Sequence, residues 1–205
     1  MKSILLLGPT SAGKTPLGEL CTIRGIAGKN CYHFDFGEAL RNICEGKSDN
    51  LSISNQESSF IKGVLDTGAL LENEHFYLAE KIVKGFLSSW HVGKRDVFLL
   101  NGLPRHYGQA KDMESFYPIR KLIVLECTPE IILDRILLNT GGDRSNRSDD
   151  NIVLVRKKIK LYEERTLPLI EFYKHLNADI MRIQVGTDTT AEDMYQQLLL
   201  NTNFS

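Results

Sequence analysis

Short apolar runs alternate along the chain with longer stretches in which apolar and polar residues are mixed. The runs have the length and composition of buried strands, and we place five of them at residues 3–7, 30–34, 96–101, 121–127 and 179–185. Strands that alternate with helix-length segments are typical of a parallel sheet with both faces covered. The pattern therefore predicts an α/β protein.

Four intervening segments carry apolar residues at helical spacing, namely residues 14–24, 73–89, 129–138 and 150–177. In the last segment, Ile152, Val155, Ile159 and Tyr162 fall on one stripe. Strands and helices in this order predict a three-layer, doubly wound parallel sheet of five strands. Ligands of such sheets bind outside the carboxyl ends of the strands.

Two polar regions interrupt the alternation. Residues 37–68 contain a loop and a short helical pattern near 58–64, and we interpret about 36–65 as a small helical insertion. Residues 139–149 contain no apolar side chain, so they have nothing with which to build a core of their own. We expect a mobile loop there, within a single domain that spans residues 1–205.

Composition excludes several other classes of protein. Lysine and arginine number 25 against 26 acidic residues, so the formal charge of −1 gives no general attraction for nucleic acid or anionic lipid. Cys21, Cys31, Cys44 and Cys127 form no C-x-x-C pair and suggest neither a zinc ribbon nor a disulfide framework. No apolar run approaches the length of a signal peptide core or a membrane span. We expect a soluble, cytoplasmic monomer with a small-molecule substrate.

The strongest local signal is a phosphate-binding loop. Residues 8–15, G-P-T-S-A-G-K-T, match the Walker A pattern G-x-x-x-x-G-K-[ST] between a predicted strand and a predicted helix. Backbone N–H groups at such a helix start bind phosphate, Lys14 would contact the β- and γ-phosphates of ATP, and the Thr15 hydroxyl would coordinate Mg²⁺. Proline is tolerated in the first turn of a helix. The predicted ATP-binding residues are Gly8, Ser11, Ala12, Gly13, Lys14, Thr15 and Pro16.

A second element is the end of the third strand. Proteins with this loop often place an acidic residue here to hold the waters of the metal, whereas this chain has Asn101, which can ligate Mg²⁺ without contributing charge. Arg105 follows in the same turn. It would face the phosphate-binding loop if the two strands are neighbours, and otherwise it would be a surface cation.

Several cations surround the polar loop. Arg144 and Arg147 lie within it, Arg135 precedes it, and Arg156 and Lys158 follow it. Cations on a mobile element can close over transferring phosphates and neutralise the charge that develops there. The alternative is a solvated charged loop without a role in binding.

Four segments, taken in order, resemble the adenylate kinase family of nucleoside monophosphate kinases along the whole chain. H-F-D-F-G-E-A-L-R at residues 33–41 resembles the start of that family's monophosphate-binding insertion, and G-A-L-L at 68–71 resembles the turn after it. N-G-L-P-R at 101–105, with Gln109, is similar to the D-G-[FY]-P-R…Q signature. R-S-D-D-N at 147–151 resembles the end of the lid.

The resemblance implies a role for each matching residue. Arg41 and Arg105 would bind the phosphate of the acceptor, Gln109 would hydrogen-bond its base, and the backbone near Leu71 would contact that base. Arg135 would pack near the adenine of ATP. The implied acceptor site comprises Phe36, Arg41, Leu71, Gly102, Arg105 and Gln109. The implied catalytic residues are Lys14, Arg105, Arg144, Arg147 and Lys158, with Arg147 on a short lid that lacks a zinc-binding insert.

The chain departs from the family pattern at several of these places. Asn101 replaces an aspartate, Phe36 stands where threonine is usual, and Asn146 precedes Arg147 where glycine is usual. Lys158 occupies the place of an arginine, and Arg144 matches another lid arginine only approximately. Lysine is a point charge, whereas arginine offers a planar fork that binds phosphate through two bonds.

Three functions follow from these residues. The first is phosphoryl transfer from Mg-ATP to a nucleoside monophosphate, with AMP the expected acceptor. The second is a small-molecule kinase of the shikimate or gluconate type, in which Asp35 would take a proton from a substrate hydroxyl, although Asp35 is equally suited to cap the following helix. The third is a nucleotide-binding protein without turnover, suggested by Asn101, Phe36 and Lys158.

Overall fold

The computed structural model describes residues 1–48, 51–142 and 152–201. Its strands are β1 (Lys2–Leu7), β2 (Cys31–Asp35), β3 (Val97–Asn101), β4 (Ile119–Glu126) and β5 (Asp179–Gln184). All five pair in parallel, in the order β2-β3-β1-β4-β5. Every predicted strand is confirmed to within two residues at each end.

Helices connect the strands and cover the sheet. They are α1 (Lys14–Arg24), α2 (Phe36–Cys44), α3 (Asn55–Thr67), α4 (Phe76–Trp90), α5 (Tyr107–Glu114), α6 (Pro129–Leu138), α7 (Ile152–Leu161), α8 (Leu169–His175) and α9 (Ala191–Leu200). The boundaries of α1 and α6 agree with prediction at both ends. Among the described residues, no helix is long and apolar enough to cross a membrane.

Side-chain alternation along β1 explains why both faces of the sheet are covered. Ile4 and Leu6 point to one apolar cluster, which includes residues of α1 and α9, while Leu5 and Leu7 point to the other, which includes residues of α2, α4 and α8. A strand that is apolar on both sides is stable only between two helical layers. The three-layer, doubly wound α/β architecture predicted from the sequence is therefore confirmed.

Three helical features differ from prediction. The segment at 73–89 begins as a 3₁₀ turn (Asn73–His75) before α4. The helix predicted over 150–177 is divided into α7, a π-helical turn (Tyr162–Thr166) and α8, because Pro168 has no N–H to continue the α-helical pattern. Two helices, α5 and α9, were not predicted at all.

The two polar regions are described in part. Helices α2 and α3 occupy the predicted insertion and pack against each other, and α3 begins with a capping box between Ser54 and Glu57. Of the polar loop predicted over 139–149, only residues 139–142 lie within the described part of the chain. The division of the chain into one domain with an insertion and a lid stays a prediction.

Candidate active site

The phosphate-binding loop joins the end of β1 to the start of α1. Gly13 caps α1 in a left-handed conformation with φ of 92°, and a Cβ there would lie 2.7 Å from the Cε of Met194. Only glycine fits both restraints. Pro16 lies in the first turn of α1, where a missing N–H costs nothing. The free N–H groups and the dipole at this helix start favour a bound anion.

The side chains of Lys14 and Ser11 differ in their hydrogen bonding within the loop. Lys14 donates from Nζ to the carbonyl oxygens of Gly8 (2.8 Å) and Pro9 (2.6 Å), which holds its ammonium group above the loop. The Oγ of Ser11 is buried and has no hydrogen-bond partner among the described residues. A buried hydroxyl without a partner is costly, so a ligand oxygen at this position would be stabilised. The loop is therefore suited to phosphate.

Arg135, on α6, fixes the other side of the same loop. Its Nε donates to the Ser11 carbonyl (2.9 Å), and its Nη1 donates to the carbonyls of Gly186 (2.8 Å) and Thr189 (2.8 Å). The side chain is 2% exposed. The guanidinium therefore links the phosphate-binding loop to the segment between β5 and α9. Arg135 was predicted to pack near an adenine, and the structure shows it first of all as a residue that positions these two backbone segments.

Thr15, Asp35 and Asn101 form a compact polar cluster at the carboxyl ends of β2 and β3. Asp35 and Asn101 are register partners in the two parallel strands. The Oδ2 of Asp35 accepts hydrogen bonds from Thr15 Oγ1 (2.6 Å) and Asn101 Nδ2 (2.8 Å). Its Oδ1 accepts from the Glu38 N–H (3.0 Å). The prediction that Asp35 caps the following helix is thus confirmed, and the same carboxylate also contacts the site.

The ionisation of this cluster follows from its surroundings. Burial would raise the pKa of Asp35, but hydrogen bonds from Thr15 and Glu38 and the charges of His33 and Arg41 outweigh it and hold the pKa below the ordinary value. Burial also lowers the pKa of His33, against the attraction of Asp35. At neutral pH the cluster therefore combines an ionised carboxylate with a neutral imidazole, and the charge of His33 acts on Asp35 only in acid, where the imidazole is protonated.

The donor set of this cluster fits Mg²⁺. The Thr15 hydroxyl and the Asp35 carboxylate are hard oxygen groups of the kind that this cation prefers, whereas Asn101 directs its Nδ2 to both of them and acts as a hydrogen-bond donor. The two predicted metal-binding residues, Thr15 and Asn101, lie together, with Oγ1 and Nδ2 3.4 Å apart. Asp35, which the metal prediction did not include, contacts both. Because strand order is not readable from one sequence, its closeness to Thr15 could not have been foreseen.

A cavity of about 190 Å³ opens beside this cluster. Lys14 and Thr15 line it on the side of the phosphate-binding loop, and Arg41 and Arg105 line it on the side of α2 and of the turn after β3. Its remaining polar lining comprises Thr10, Asp35, Asn101, Gln109, Lys158, Tyr162 and Thr166. The predicted acceptor residues Phe36, Leu71 and Gly102 also line it. The fold therefore brings together the predicted residues for both nucleotides.

Arg41 and Arg105 both project a guanidinium into this cavity without a hydrogen bond or ion pair to any described residue. Burial lowers the pKa of Arg105, and the charge of the nearby Asp35 carboxylate opposes this shift. Arginine keeps its charge in proteins at neutral pH. Two unpaired cations in one cavity indicate a site for an anion.

Gln109 and His106 hold the turn that carries Leu71. Gln109 donates from Nε2 to the Leu71 carbonyl (2.8 Å) and accepts at Oε1 from the Arg105 N–H (2.7 Å). The Nε2 of His106 lies 3.0 Å from the same carbonyl, and its Nδ1 accepts from the Gln109 N–H. Both residues are buried. The Leu71 carbonyl thus has two donors already, and Gln109 keeps one N–H and one lone pair for a ligand.

Tyr162 and Thr166, at the two ends of the π-helical turn, were not predicted as site residues. Both line the cavity together with Lys158, and Thr166 donates from Oγ1 to the Arg105 carbonyl (2.7 Å). π-turns are rare and occur often at functional sites, but the sequence signal is limited to Pro168. Arg105 is consequently fixed at both its N–H and its carbonyl. The predicted catalytic residues Arg144 and Arg147 lie outside the described part of the chain.

The chain is similar along most of its length to known kinases. It is 28% identical to an adenylate kinase of Parasynechococcus marenigrum, over 97% of both chains, and 28% identical to one of Rickettsia africae, over 84% of this chain and 86% of the relative. It is 26% identical to a uridylate kinase of Saccharomyces cerevisiae, over 95% of this chain and 87% of the relative. No family model matches the chain.

Among solved structures, a gluconokinase from Sinorhizobium meliloti has the same fold. The TM-score is 0.54 at 13% sequence identity, over 97% of this chain and 90% of that chain. At this identity the likeness concerns the fold alone. The sequence relatives indicate a phosphotransferase that resembles nucleotide kinases, and the shared sheet architecture agrees with it.

Proposed function

We propose that this protein is an ATP-dependent nucleoside monophosphate kinase, most similar in action to adenylate kinase, which converts ATP and AMP to two ADP. The observation that carries the proposal is the pair of unpaired guanidinium groups, Arg41 and Arg105, in a cavity that Lys14 lines on the opposite side. A terminal phosphate on the acceptor would accept hydrogen bonds from both arginines. A neutral sugar or alcohol would offer them no such charge, and gluconate or shikimate would offer a single carboxylate charge where a monophosphate offers about one and a half to two.

The proposed reaction is an in-line transfer between two bound anions. An oxygen of the AMP phosphate forms a bond to the γ-phosphorus of ATP while the bond from that phosphorus to the β,γ-bridging oxygen breaks, so ADP leaves and a second ADP forms. No general base is needed, because the attacking oxygen is already ionised. Lys14, Arg105 and Lys158, together with Arg144 and Arg147, would orient the phosphates and offset their repulsion.

Thr15, with Asp35 and Asn101 beside it, would hold a Mg²⁺ ion bound with ATP. This ion would neutralise charge on the β- and γ-phosphates. Gly8, Ser11, Ala12 and Gly13 would contribute the phosphate-binding backbone. The nucleotide kinases among the relatives support ATP as the phosphoryl donor. The oxygen atoms of Thr15 and Asp35 support a bound cation.

The base of the acceptor is the open part of the proposal. The relatives are named as adenylate and uridylate kinases, so AMP, UMP and CMP all belong in the test. Gln109 retains one donor and one acceptor after its contacts with Leu71 and Arg105. An amide can adjust to adenine or to a pyrimidine, and we propose AMP because the whole-length similarity includes adenylate kinases.

A panel of acceptors tests the proposal. ADP release from ATP would be measured with AMP, UMP, CMP and GMP and, separately, with gluconate and shikimate. We expect turnover with at least one monophosphate and background rates with the two hydroxyl acceptors. Turnover with gluconate or shikimate alone would make the chain a small-molecule kinase, and nucleotide binding without any turnover would make it a binding protein.

A further inference from the structure

In this chain a carboxylate lies at the end of β2. The resemblance would place it on the neighbouring residue, at the end of β3. We propose that Asp35 is the acidic residue of the Mg²⁺ shell, and that Asn101 is the neutral partner that holds it in place. The inference rests on the proposed function only for the use of Mg-ATP as the phosphoryl donor.

The geometry that supports this inference is set by strand pairing. Asp35 and Asn101 are register partners at the ends of β2 and β3, so their side chains emerge side by side above the same sheet edge. Thr15 reaches the same point from the first turn of α1, and its hydroxyl lies 2.6 Å from the Asp35 carboxylate. Asp35 is therefore in direct contact with the residue that the Walker A pattern assigns to the cation.

Charge gives a second argument. Among the described residues that line the cavity, Asp35 is the single carboxylate, whereas Lys14, Arg41, Arg105 and Lys158 are all cationic. Mg²⁺ bound in a nucleotide site is ligated by one or two carboxylates besides the phosphates and waters. With an amide at position 101, Asp35 is the group within the described cavity that can supply this charge.

Hydrogen-bond direction shows how Asp35 would act on Thr15. The hydroxyl has one proton and two lone pairs, and its proton is donated to Asp35. The oxygen accepts one longer hydrogen bond from Asn101 Nδ2 (3.4 Å) and keeps its second lone pair for another partner, as a metal ligand must. Asp35 thus has two roles toward the cation: its charge attracts the ion, and its hydrogen bond turns Thr15 into the orientation for ligation.

The contact between Asp35 and Asn101 explains why position 101 is neutral. Their nearest side-chain atoms are 2.8 Å apart, and the amide donates its proton to the carboxylate. An aspartate at position 101 would bring two negative groups together at this distance, which strongly disfavours ionisation of both. One acid and one amide satisfy each other. The acid can therefore occupy either strand, but not both strands in the absence of a cation.

The same hydrogen bonds argue against Asp35 as a base for a hydroxyl acceptor. Its Oδ1 accepts from the Glu38 N–H, and its Oδ2 accepts from both Thr15 and Asn101. Three of its roughly four lone-pair positions are thus occupied. A carboxylate stabilised in this way is better suited to attract a cation than to remove a proton.

The test is a titration of Mn²⁺ into the enzyme–ADP complex, with free Mn²⁺ followed by its electron paramagnetic resonance signal. Asp35→Asn removes the charge while asparagine still caps α2, so folding should be preserved. We expect Mn²⁺ affinity to fall about 10- to 100-fold, the range for groups that support metal ligands. Affinity for ADP in EDTA should change less than twofold, and Asp134→Asn, an exposed acid on α6, serves as the matched control.

A double variant that moves the carboxylate from one strand to the other gives the second test. Asn101→Asp alone should lower Tm in metal-free buffer, and Asp35→Ser alone should weaken Mn²⁺ binding like Asp35→Asn. The double variant moves the carboxylate from β2 to β3, and we expect it to bind Mn²⁺ with an affinity within about fivefold of the parent. The effects of the two substitutions would then not add, as is usual for residues in contact.

The outcomes separate the two proposals. Mn²⁺ affinity within twofold of the parent in Asp35→Asn would show that Asp35 is only a helix cap and would overturn the inference. Loss of Mn²⁺ affinity in an enzyme that phosphorylates no monophosphate would support the inference while refuting the proposed function. Turnover of AMP by the parent, together with unchanged Mn²⁺ affinity in Asp35→Asn, would support the proposed function and refute the inference about Asp35.

Discussion

Arg41 and Arg105 reach one cavity from different parts of the chain, the first from α2 and the second from the turn after β3. Neither guanidinium forms a hydrogen bond or an ion pair with a described residue, although both lie close enough to Asp35 for their charges to attract it. Each is therefore available for a charge-assisted bond to an acceptor phosphate, which is worth about 1.5–3 kcal/mol. Loss of this free energy corresponds to a roughly 10- to 100-fold weaker affinity for the acceptor.

We expect Arg41→Ala and Arg105→Ala each to raise KM for the monophosphate by roughly 10- to 100-fold, the conversion of one charge-assisted hydrogen bond. KM for ATP should change far less, because the proposed ATP site is formed by Lys14 and the phosphate-binding loop. Steady-state kinetics with either substrate varied would measure both constants. Arg95→Ala, at an exposed position before β3, is the matched control and should leave both unchanged. Equal rises in the two constants would contradict the assignment.

For single residues, the sequence predicted the positions of side chains better than the contacts between them. The Walker A pattern placed Lys14 and Thr15, and the N-cap role of Asp35 followed from its position before a helix. The contact of Asp35 with Thr15 did not follow, because it depends on β2 lying two strands from β1 in the sheet. His106 was missed, since a lone histidine in a turn has no distinctive spacing.

Among the elements, the turn between α3 and α4 depends on α5 for its position. Gln109 and His106 both bond to the Leu71 carbonyl, and Gln109 also receives the Arg105 N–H. The acceptor side of the cavity is thus held to the end of β3 by buried polar side chains. Such networks fix geometry strongly when every member is satisfied.

Replacement of Gln109 by leucine should break this connection. Arg105 would lose the acceptor for its buried N–H, and we expect a destabilisation of about 1–3 kcal/mol. In a chain of this size Tm would fall by roughly 2–12 °C. Thermal unfolding followed by circular dichroism would measure it, with the exposed Gln56→Leu on α3 as control. An unchanged Tm together with a raised KM for AMP would instead mean that Gln109 contacts only the base.

Helices were predictable from sequence where apolar spacing was regular, as in α1 and α6. The helix α9 was overlooked although Thr190 and Asp193 form a capping box at its start, a signal that could have found it. The single long helix predicted over 150–177 was wrong, because one proline at position 168 changes the hydrogen-bond pattern of the turn before it. Periodicity alone does not register such a local change.

For the whole molecule, the proposed nucleotide site at the carboxyl edge of the sheet would link ligand binding to global stability. A ligand that binds only the folded chain at a concentration of 100 Kd adds about 2.7 kcal/mol to the free energy of unfolding. For a chain of about 200 residues this is a rise in Tm of roughly 5–11 °C.

We expect ATP to produce this rise in the parent and to produce little or none in Lys14→Ala at the same concentration. The variant itself should unfold within a few degrees of the parent, because the Lys14 ammonium contacts loop carbonyls and not the apolar core. Differential scanning fluorimetry would measure both proteins, with Lys111→Ala on α5 as control. A full ATP shift in Lys14→Ala would refute its role in phosphate binding.

The four cysteines provide a second global test, since all are free thiols. Burial raises the pKa of Cys21 to about 12 and also raises that of Cys31, so at pH 8 neither has appreciable thiolate. Cys44 and Cys127 are half-buried. We expect the folded protein to react with a thiol reagent at no more than two sites, and the denatured protein at all four. Rapid reaction of three or more sites in the folded state would contradict the described core.

The bonds of Arg135 have a consequence for how the chain closes on itself. One guanidinium contacts residue 11 near the start of the chain and residues 186–189 near its end, while Tyr195 on α9 donates to the Gly25 carbonyl and Glu192 pairs with Arg24. The segment between β5 and α9 is thus bonded to the phosphate-binding loop, and α9 is bonded to the end of α1 and the residue after it. During synthesis, these bonds cannot form until the segment between β5 and α9 has left the ribosome, so a ligand of the phosphate-binding loop could stabilise this conformation only after that point.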